Sequence, residues 1–411
     1  MSLAHGRAAT AFILVTALLD ILAMGLVIPV LPALIRAYSG TEAHAGVWNG
    51  VLIALWASMQ FVASPIIGAL SDRYGRRPVI LVSVAGMTID WVLMALAPDL
   101  WWLAAGRMIG GITSSSFTTV YAYVADVTAP EGRARAYGFI GAAFSAGFVA
   151  GPALGGFLGE ISPRAPFWAA AAMSGIAFLY GAFVLPESLA RENRTAFAWS
   201  RANPFGALKL LGSQPILTRL AGVNFLLYFA HHVFSIFVLY ASARYGWSAL
   251  QVGVLFAFVG LLDVGVQAGL VGPVVKRLGE KRTVVVGLAF GALGLASMGL
   301  APNGLWFIAA MIPNSLWGVA MPPLQSLMTQ QVSESEQGQL QGANNSVSAI
   351  AGVASPLVFG FVYAATAGPG ASAPFIGASF VAAAVVLAAA SGVAATAAAP
   401  RVSAPRAAPA D

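Results

Sequence analysis

Cysteine is absent from the 411 residues, and charged residues make up only 9% of them. The first absence excludes disulfides, thiolate metal sites and cysteine nucleophiles. The second excludes a soluble enzyme, because soluble domains carry about 25% charged residues. No glycine-rich phosphate loop, zinc-binding His-Glu pair or cofactor fingerprint occurs, so no permanently bound cofactor and no metal site is expected. The balance of 21 basic to 15 acidic residues needs no nucleic-acid partner to explain it. What the chain has in abundance is apolar: 59% hydrophobic residues, 45 glycines and a mean hydropathy of +0.81. One membrane crossing takes roughly 20 apolar residues. The sequence therefore reads as a polytopic membrane protein whose main partner is the lipid bilayer.

Apolar runs fall at 8–36, 45–70, 78–97, 100–127, 134–159, 166–185, 216–243, 249–275, 283–301, 304–331, 336–364 and 373–395. The first run carries Asp20 inside it and continues past Pro29 to Pro32, which predicts an uncleaved helix rather than a signal peptide. If the N-terminus is cytoplasmic, 17 of the Lys and Arg residues fall in cytoplasmic segments and only Arg36, Arg164 and Arg244 fall outside. That bias predicts both termini inside.

The loop after span 2 reads Gly68-Ala-Leu-Ser-Asp-Arg-Tyr-Gly-Arg-Arg-Pro78, and the loop after span 8 reads Gly272-Pro-Val-Val-Lys-Arg-Leu-Gly-Glu-Lys-Arg282. Gly68, Arg73 and Gly75 match Gly272, Arg277 and Gly279 at a constant spacing of 204 residues. The same spacing carries Gly138 to Gly342, Pro152 to Pro356 and Gly156 to Gly360. The expected fold is all-α: twelve transmembrane helices in two pseudo-symmetric six-helix bundles. Its expected parts are an N-terminal bundle (1–185), a cytoplasmic linker (186–215), a C-terminal bundle (216–395) and an Ala/Pro-rich disordered tail (396–411). Such a duplication places a substrate site between the halves, reached by their rocking.

In the first loop Asp72 and Arg76 can pair across a helix end, Gly75 permits the tight turn, and Asp126 at the end of span 4 can close a charge network with Arg73, Arg76 and Arg77. The plainer reading is that these arginines only obey the positive-inside rule. Arg107 opens Arg-Met-Ile-Gly-Gly in span 4; it needs a carboxylate or a watery cavity, unless it snorkels to the outer interface. Gly147-Phe-Val-Ala-Gly-Pro-Ala-Leu-Gly-Gly156 combines Gly147, Gly151, Gly155 and Gly156 for close helix contact with Pro152, which is expected to break the hydrogen-bond ladder.

Three acids, Asp20, Asp90 and Asp263, lie deep in spans, and an intramembrane acid is a functional candidate by default. Asp263 is the only acid deep within a span of the C-terminal half. Asp20 corresponds to Asn224 at the repeat spacing, and Gln267 lies one turn after Asp263. Ser115, Thr118 and Tyr121, in a hydroxyl-rich stretch of span 4, could line a cavity with Tyr228 and Trp317. His231 and His232 read either as proton or metal ligands or as ordinary packed histidines. The second reading is preferred, because adjacent residues point different ways on a helix.

Gly68–Pro78 resembles the loop signature of the major facilitator superfamily, and Gly147–Gly156 is similar to the motif of its drug:proton antiporter branch. Leu19-Asp20, Gly25–Pro32, Gly106-Arg107, Gly159–Pro163, Gly279-Glu-Lys281 and Gln337–Gly342 extend the resemblance to the proton-coupled tetracycline efflux proteins of Gram-negative bacteria. The resemblance implies an inner-membrane antiporter, not an enzyme, that exports a tetracycline-type drug for protons, with Mg2+ the candidate cation carried in a drug chelate. It implies proton-coupling roles for Asp20, Asp90 and Arg107, a gating role for Asp72, Arg76 and Asp126, and a drug contact for Gln267. Two positions depart: Asp263 stands where those pumps have histidine, and Gly291 where they have an acid in span 9. Export of other amphiphiles, metabolite/proton transport, and a non-transporting receptor or assembly factor on the same fold are the alternatives.

Overall fold

The computed structural model describes residues 15–16, 18–114, 117–128, 130–197, 199, 203–206, 208–333, 336–367 and 376–396. The tail expected to be disordered begins at 396, and all of it after that residue lies outside the described residues. Among the described residues, eleven helices are long and apolar enough to cross a membrane. They are span 1 (Leu18–Ser39), span 2 (Glu42–Tyr74), span 3 (Arg76–Leu96), span 5 (Ala136–Ile161), span 6 (Ala165–Val184), span 7 (Pro215–Tyr245), span 8 (Ala249–Gly269), span 9 (Glu280–Leu300), span 10 (Gly304–Thr329), span 11 (Gln337–Thr366) and span 12 (Ala378–Thr396). Span 4 consists of Leu100–Thr113 and Phe117–Val127, on either side of 115–116, which lie outside the described residues. The fold is the all-helical, twelve-span arrangement of two pseudo-symmetric bundles.

The 204-residue repeat is visible in the local chemistry. Asp99 caps span 4 by accepting from the amides of Trp101 and Trp102; Asn303, its repeat partner, caps span 10 by accepting from Trp306. Each cap satisfies an amide that a helix start leaves without a partner. Gly75 and Gly279 turn the chain between helices at φ +106° and +76°, a region that favours glycine. Spans 1 and 7 are interrupted at equivalent places, by a turn at 28–30 and by a 3-10 stretch, His232–Ile236. Span 10 is likewise interrupted, at Leu316–Ala320. Irregular backbone inside a membrane is tolerated where it is buried in protein or lines a cavity, and the breaks in spans 1 and 7 border the cavity described below.

In span 5 Pro152 lies inside a helix that continues through it, Pro130–Ile161, so the ladder bond it cannot donate is lost without ending the helix. Gly147, Gly151 and Gly155 recur every four residues and share one face. A Cβ at Gly147 would meet Ile21, at Gly151 the Gly25 Cα, and at Gly155 the Leu26 carbonyl. Gly156 points instead at Ala249 and Leu250 of span 8. The motif is thus a seam that seats span 5 on span 1 and, one residue on, against the other half.

The halves meet most closely at the end away from the arginine-rich loops. Gly46 faces Gly360, Gly50 faces the Pro356 carbonyl, and Gly253 faces the Pro152 carbonyl. Toward the arginine-rich end the last glycine contact between spans 5 and 8 is Gly260 on Val149; a Cβ at Gly138, Gly141, Gly265 or Gly269 would meet nothing within 4 Å. The molecule is closed at one end and splayed at the other.

Candidate functional site

A cavity of about 370 Å³ lies between the halves, walled by spans 1, 2, 3, 4, 5, 7 and 8. Most of its lining is apolar, and its two charged residues are Asp90 and Arg107. Arg107 Nη2 donates to Asp90 Oδ2 at 3.2 Å, and the guanidinium stands over the Trp91 ring at 5.3 Å. Arg107 is therefore an inward-facing partner of a carboxylate and not a snorkelling residue. Gly106 and Gly110 make the room: a Cβ at Gly106 would come within 2.8 Å of Asp90 Oδ1, and one at Gly110 would press on Oδ2. Arg107 and the glycines around it thus provide both the counter-charge and the space for the acid. Asp90 Oδ1 and Arg107 Nε have no hydrogen-bond partner among the described residues and remain free for a ligand or a proton.

The other sequence candidates separate. Asp20 is buried in span 1 with Oδ1 unpartnered among the described residues. Asp263 is half-buried on span 8 and Gln267 is exposed; neither lines this cavity. Asn224 donates to Asn344 Oδ1 at 3.4 Å inside the C-terminal bundle. Tyr121 is exposed and packs on Tyr137. Trp317 is buried, with its ring 5.7 Å from that of His231. Tyr228 borders a second cavity, toward the arginine-rich end. Ser115 lies outside the described residues, and of Thr118 only the backbone is described.

The loop between spans 2 and 3 forms the expected ion network and extends it. Arg76 reaches Asp72 Oδ1 at 2.5 Å through Nη1 and Asp126 Oδ2 at 3.2 Å through Nε. Its backbone N–H donates to Glu187 Oε1 at 2.8 Å, and Ser188 Oγ donates to Asp126 at 3.0 Å. A Cβ on Gly75 would press on the Glu187 carboxylate, so glycine there suits this network as well as the positive φ. Arg77 donates to the Ala182 carbonyl at 2.8 Å, while Arg73 lies over the Tyr74 ring.

Sequence reasoning missed Glu187. Its only signal was an acid placed directly after span 6 at the start of a basic linker.

Also missed was a second network, at the closed end. Arg36 bonds to Glu42 Oε1 at 2.7 Å, to Ser242 Oγ at 2.8 Å and to the Leu239 carbonyl at 3.1 Å. Glu42 in turn accepts from the Tyr363 hydroxyl at 3.0 Å, and Asn49 donates to the Ser235 carbonyl at 2.8 Å. These bonds tie spans 1 and 2 to spans 7 and 11, across the halves. Partners separated by 186 to 321 residues leave no local pattern to read.

Comparison with known proteins agrees with this architecture. The family model described as Major Facilitator Superfamily matches residues 13–356. The chain is similar to the class C tetracycline resistance protein of Escherichia coli, at 40% identity over 86% of this chain and 89% of that one. It is similar to the class G protein of Vibrio anguillarum, at 39% over 85% and 89%. Among solved structures it resembles the human organic anion transporter MFSD10 (TETRAN), with 26% identity, a TM-score of 0.64, and coverage of 93% of this chain and 99% of that one. With its fold, its cavity between the halves and a family match across most of its length, the chain is a membrane transporter, not an enzyme, and it belongs to the major facilitator superfamily.

Proposed function

We propose that the chain is an inner-membrane antiporter that exports tetracycline-type drugs in exchange for protons by alternating access. The observation that carries this reading is the Asp90–Arg107 pair, the only charged side chains among the described residues lining a largely apolar cavity between the halves. A buried ion pair binds either a proton or a polar ligand at the expense of its own contact, since removing one partner leaves the other charge uncompensated. That competition is what exchange requires. The relatives named as tetracycline resistance proteins support the substrate class, and a drug chelated to Mg2+ would bring its own positive charge toward Asp90.

In this reading the arginine-rich end is cytoplasmic, as are both termini, and residues 1–185 and 216–395 are the moving bundles. The structure's splayed end then faces the cytoplasm, and the Arg36–Glu42–Tyr363 network holds the periplasmic side shut. Asp72, Arg76 and Asp126 latch the cytoplasmic side of the N-terminal bundle, and Asp20 and Asp263 are further stations for the proton.

The test uses inside-out vesicles energised so that their lumen is acidic. Adding tetracycline should draw protons out of the lumen and load drug into it, and Asp90→Asn should abolish both. Vesicles carrying the unaltered chain that accumulate no tetracycline would sink the substrate assignment. A second reading, export of other amphiphiles, is favoured by one packing fact. Gly291 is sealed against Leu387 and Trp317, so span 9 has no space for the acid that the tetracycline pumps place there.

A further inference from the structure

The second cavity, of about 630 Å³, opens between spans 2, 7 and 11 and the Asn203–Pro204 stretch of the linker. It has a size suited to a small-molecule ligand. Its chemistry differs from that of the first. Asp, Glu, Lys and Arg are all absent from its described lining. In their place stand the carboxamides of Gln60, Asn203 and Asn345, the hydroxyls of Ser348 and Tyr228, and the imidazole of His232. Carboxamides and hydroxyls both donate and accept. A charged edge settling among them would lose its water without gaining a counter-charge, whereas an uncharged edge rich in hydroxyl and carbonyl groups would keep its hydrogen bonds.

The two cavities share three wall residues, Trp56, Ser114 and His232. His232 Nδ1 lies 2.7 Å from the Tyr228 carbonyl oxygen, which can only accept, so Nδ1 carries the proton. In the neutral ring Nε2 is then a bare acceptor. Nε2 comes within 3.2 Å of the place a Cβ would take on Gly352, so the glycine leaves the imidazole edge its space. The linker is fastened over this cavity by Ser346 Oγ donating to the Pro204 carbonyl at 2.8 Å and by Phe205 packed edge-on against Phe61 at 5.3 Å.

From this geometry we infer that the cavity under the linker is a second ligand station, distinct from the Asp90–Arg107 cavity. It takes the uncharged, hydroxyl- and carbonyl-rich edge of an amphiphile, with His232 Nε2 as the acceptor on the wall between the two. The inference rests on the export reading and adds an order to it: neutral contacts are made first, under the linker, and charge is met only past His232.

The experiment uses the full chain in inside-out vesicles, with tetracycline as probe and Ser348→Cys as the sole cysteine. Bound drug should slow maleimide modification of that cysteine about tenfold, the scale of a ligand held by one or two good hydrogen bonds. Protection should persist with Asp90→Asn and Arg107→Gln present together, which removes both charges without leaving either unpaired, since the station is separate from the charged cavity. On the unaltered background, Asn345→Leu and His232→Phe should each raise the transport KM for tetracycline about tenfold with kcat little changed, and His232→Gln, which keeps an acceptor, should fall between them and the parent. No protection of the cysteine, or an unchanged KM in both variants, in vesicles whose parent chain does export tetracycline, overturns the second station. Absence of export by the parent chain instead overturns the functional reading on which it rests.

Discussion

Arg76 and Glu280 occupy equivalent positions in the two halves, 204 residues apart, and carry opposite charges. Each reaches the far end of the fourth span of its own half. Arg76 binds Asp126, and Glu280 accepts from Gln330, which is the repeat partner of Asp126, at 3.0 Å. Ser326 Oγ adds a second donor to Glu280 at 2.6 Å. Duplication has preserved the geometry of the contact and changed its chemistry, from an ion pair in one half to neutral donors on a carboxylate in the other.

That difference gives unequal outcomes for similar substitutions. Arg76→Gln removes the charge that both Asp72 and Asp126 face and should reduce drug uptake into inside-out vesicles by about tenfold or more. Glu280→Gln keeps an oxygen for Ser326 and Gln330 and should stay within about threefold of the parent, the scale of one weakened hydrogen bond. Equal losses in the two variants would show that the halves latch by the same chemistry.

The central pair predicts a separation of stability from coupling. Arg107→Ala leaves Asp90 buried without its counter-charge, at a cost of about 3–5 kcal/mol, and should sharply lower the amount of protein in the membrane. Asp90→Asn combined with Arg107→Gln removes both charges and should restore protein levels while leaving drug-driven proton movement abolished. Quantitative blotting and a lumenal pH dye measure the two effects in the same vesicles. Gly110→Ala, which drives a methyl against the carboxylate, should impair transport with both charges still present.

The closed end makes a prediction that needs no substrate. Glu42→Ala removes the acceptor shared by Arg36 and Tyr363. Ile53 lines the central cavity, and the chain has no other cysteine to confuse a label placed there. Ile53→Cys should react with an impermeant thiol reagent added to intact cells about tenfold faster when Glu42→Ala is also present, the scale expected from losing one charge-assisted bond. An unchanged rate would mean that the glycine contacts alone keep that end shut.

Span 9 supplies the fourth. Gly291→Asp would place a carboxylate where a Cβ alone comes within 2.6 Å of the Leu387 side chain and 2.9 Å of Trp317 Cγ. Overpacking of this kind costs about 1–3 kcal/mol even for apolar groups. The substitution should reduce folded protein, by blotting and thermal melt, and should not rescue transport in an Asp263→His background.

The spans, the loop signature and the repeat were legible because each is written in local composition or at a fixed spacing. The demand of Arg107 for an acid was legible as well, since a charge inside a membrane must be answered; that Asp90 answers it depends on how spans 3 and 4 pack. His232 was passed over because two adjacent histidines on a regular helix diverge. The helix is not regular there: the 3-10 stretch begins at His232 itself, and both rings border the central cavity. The ladder bond missing at Pro152 was legible; that span 5 seats close contacts with spans 1 and 8 on either side of it depends on the packing. Arg36, Glu42 and Tyr363 were not legible, because nothing in the order of the chain announces that its first and last quarters touch.

At Gly50 on Pro356, and again at Gly253 on Pro152, one half rests on the other with bare backbone against bare backbone. Such a contact has no rotamers to rearrange and no interlocked side chains to lift clear when one surface rolls on its counterpart. It works mechanically as a fulcrum. A helix rises 1.5 Å per residue, so a tilt of about 10° about a point ten residues from a helix end swings that end by about 3 Å. Two fulcra set side by side, near the same end of the molecule, define a hinge line and restrict the motion to one plane. A methyl group at either glycine would act as a wedge under that line, felt least where it is placed and most at the distant mouth.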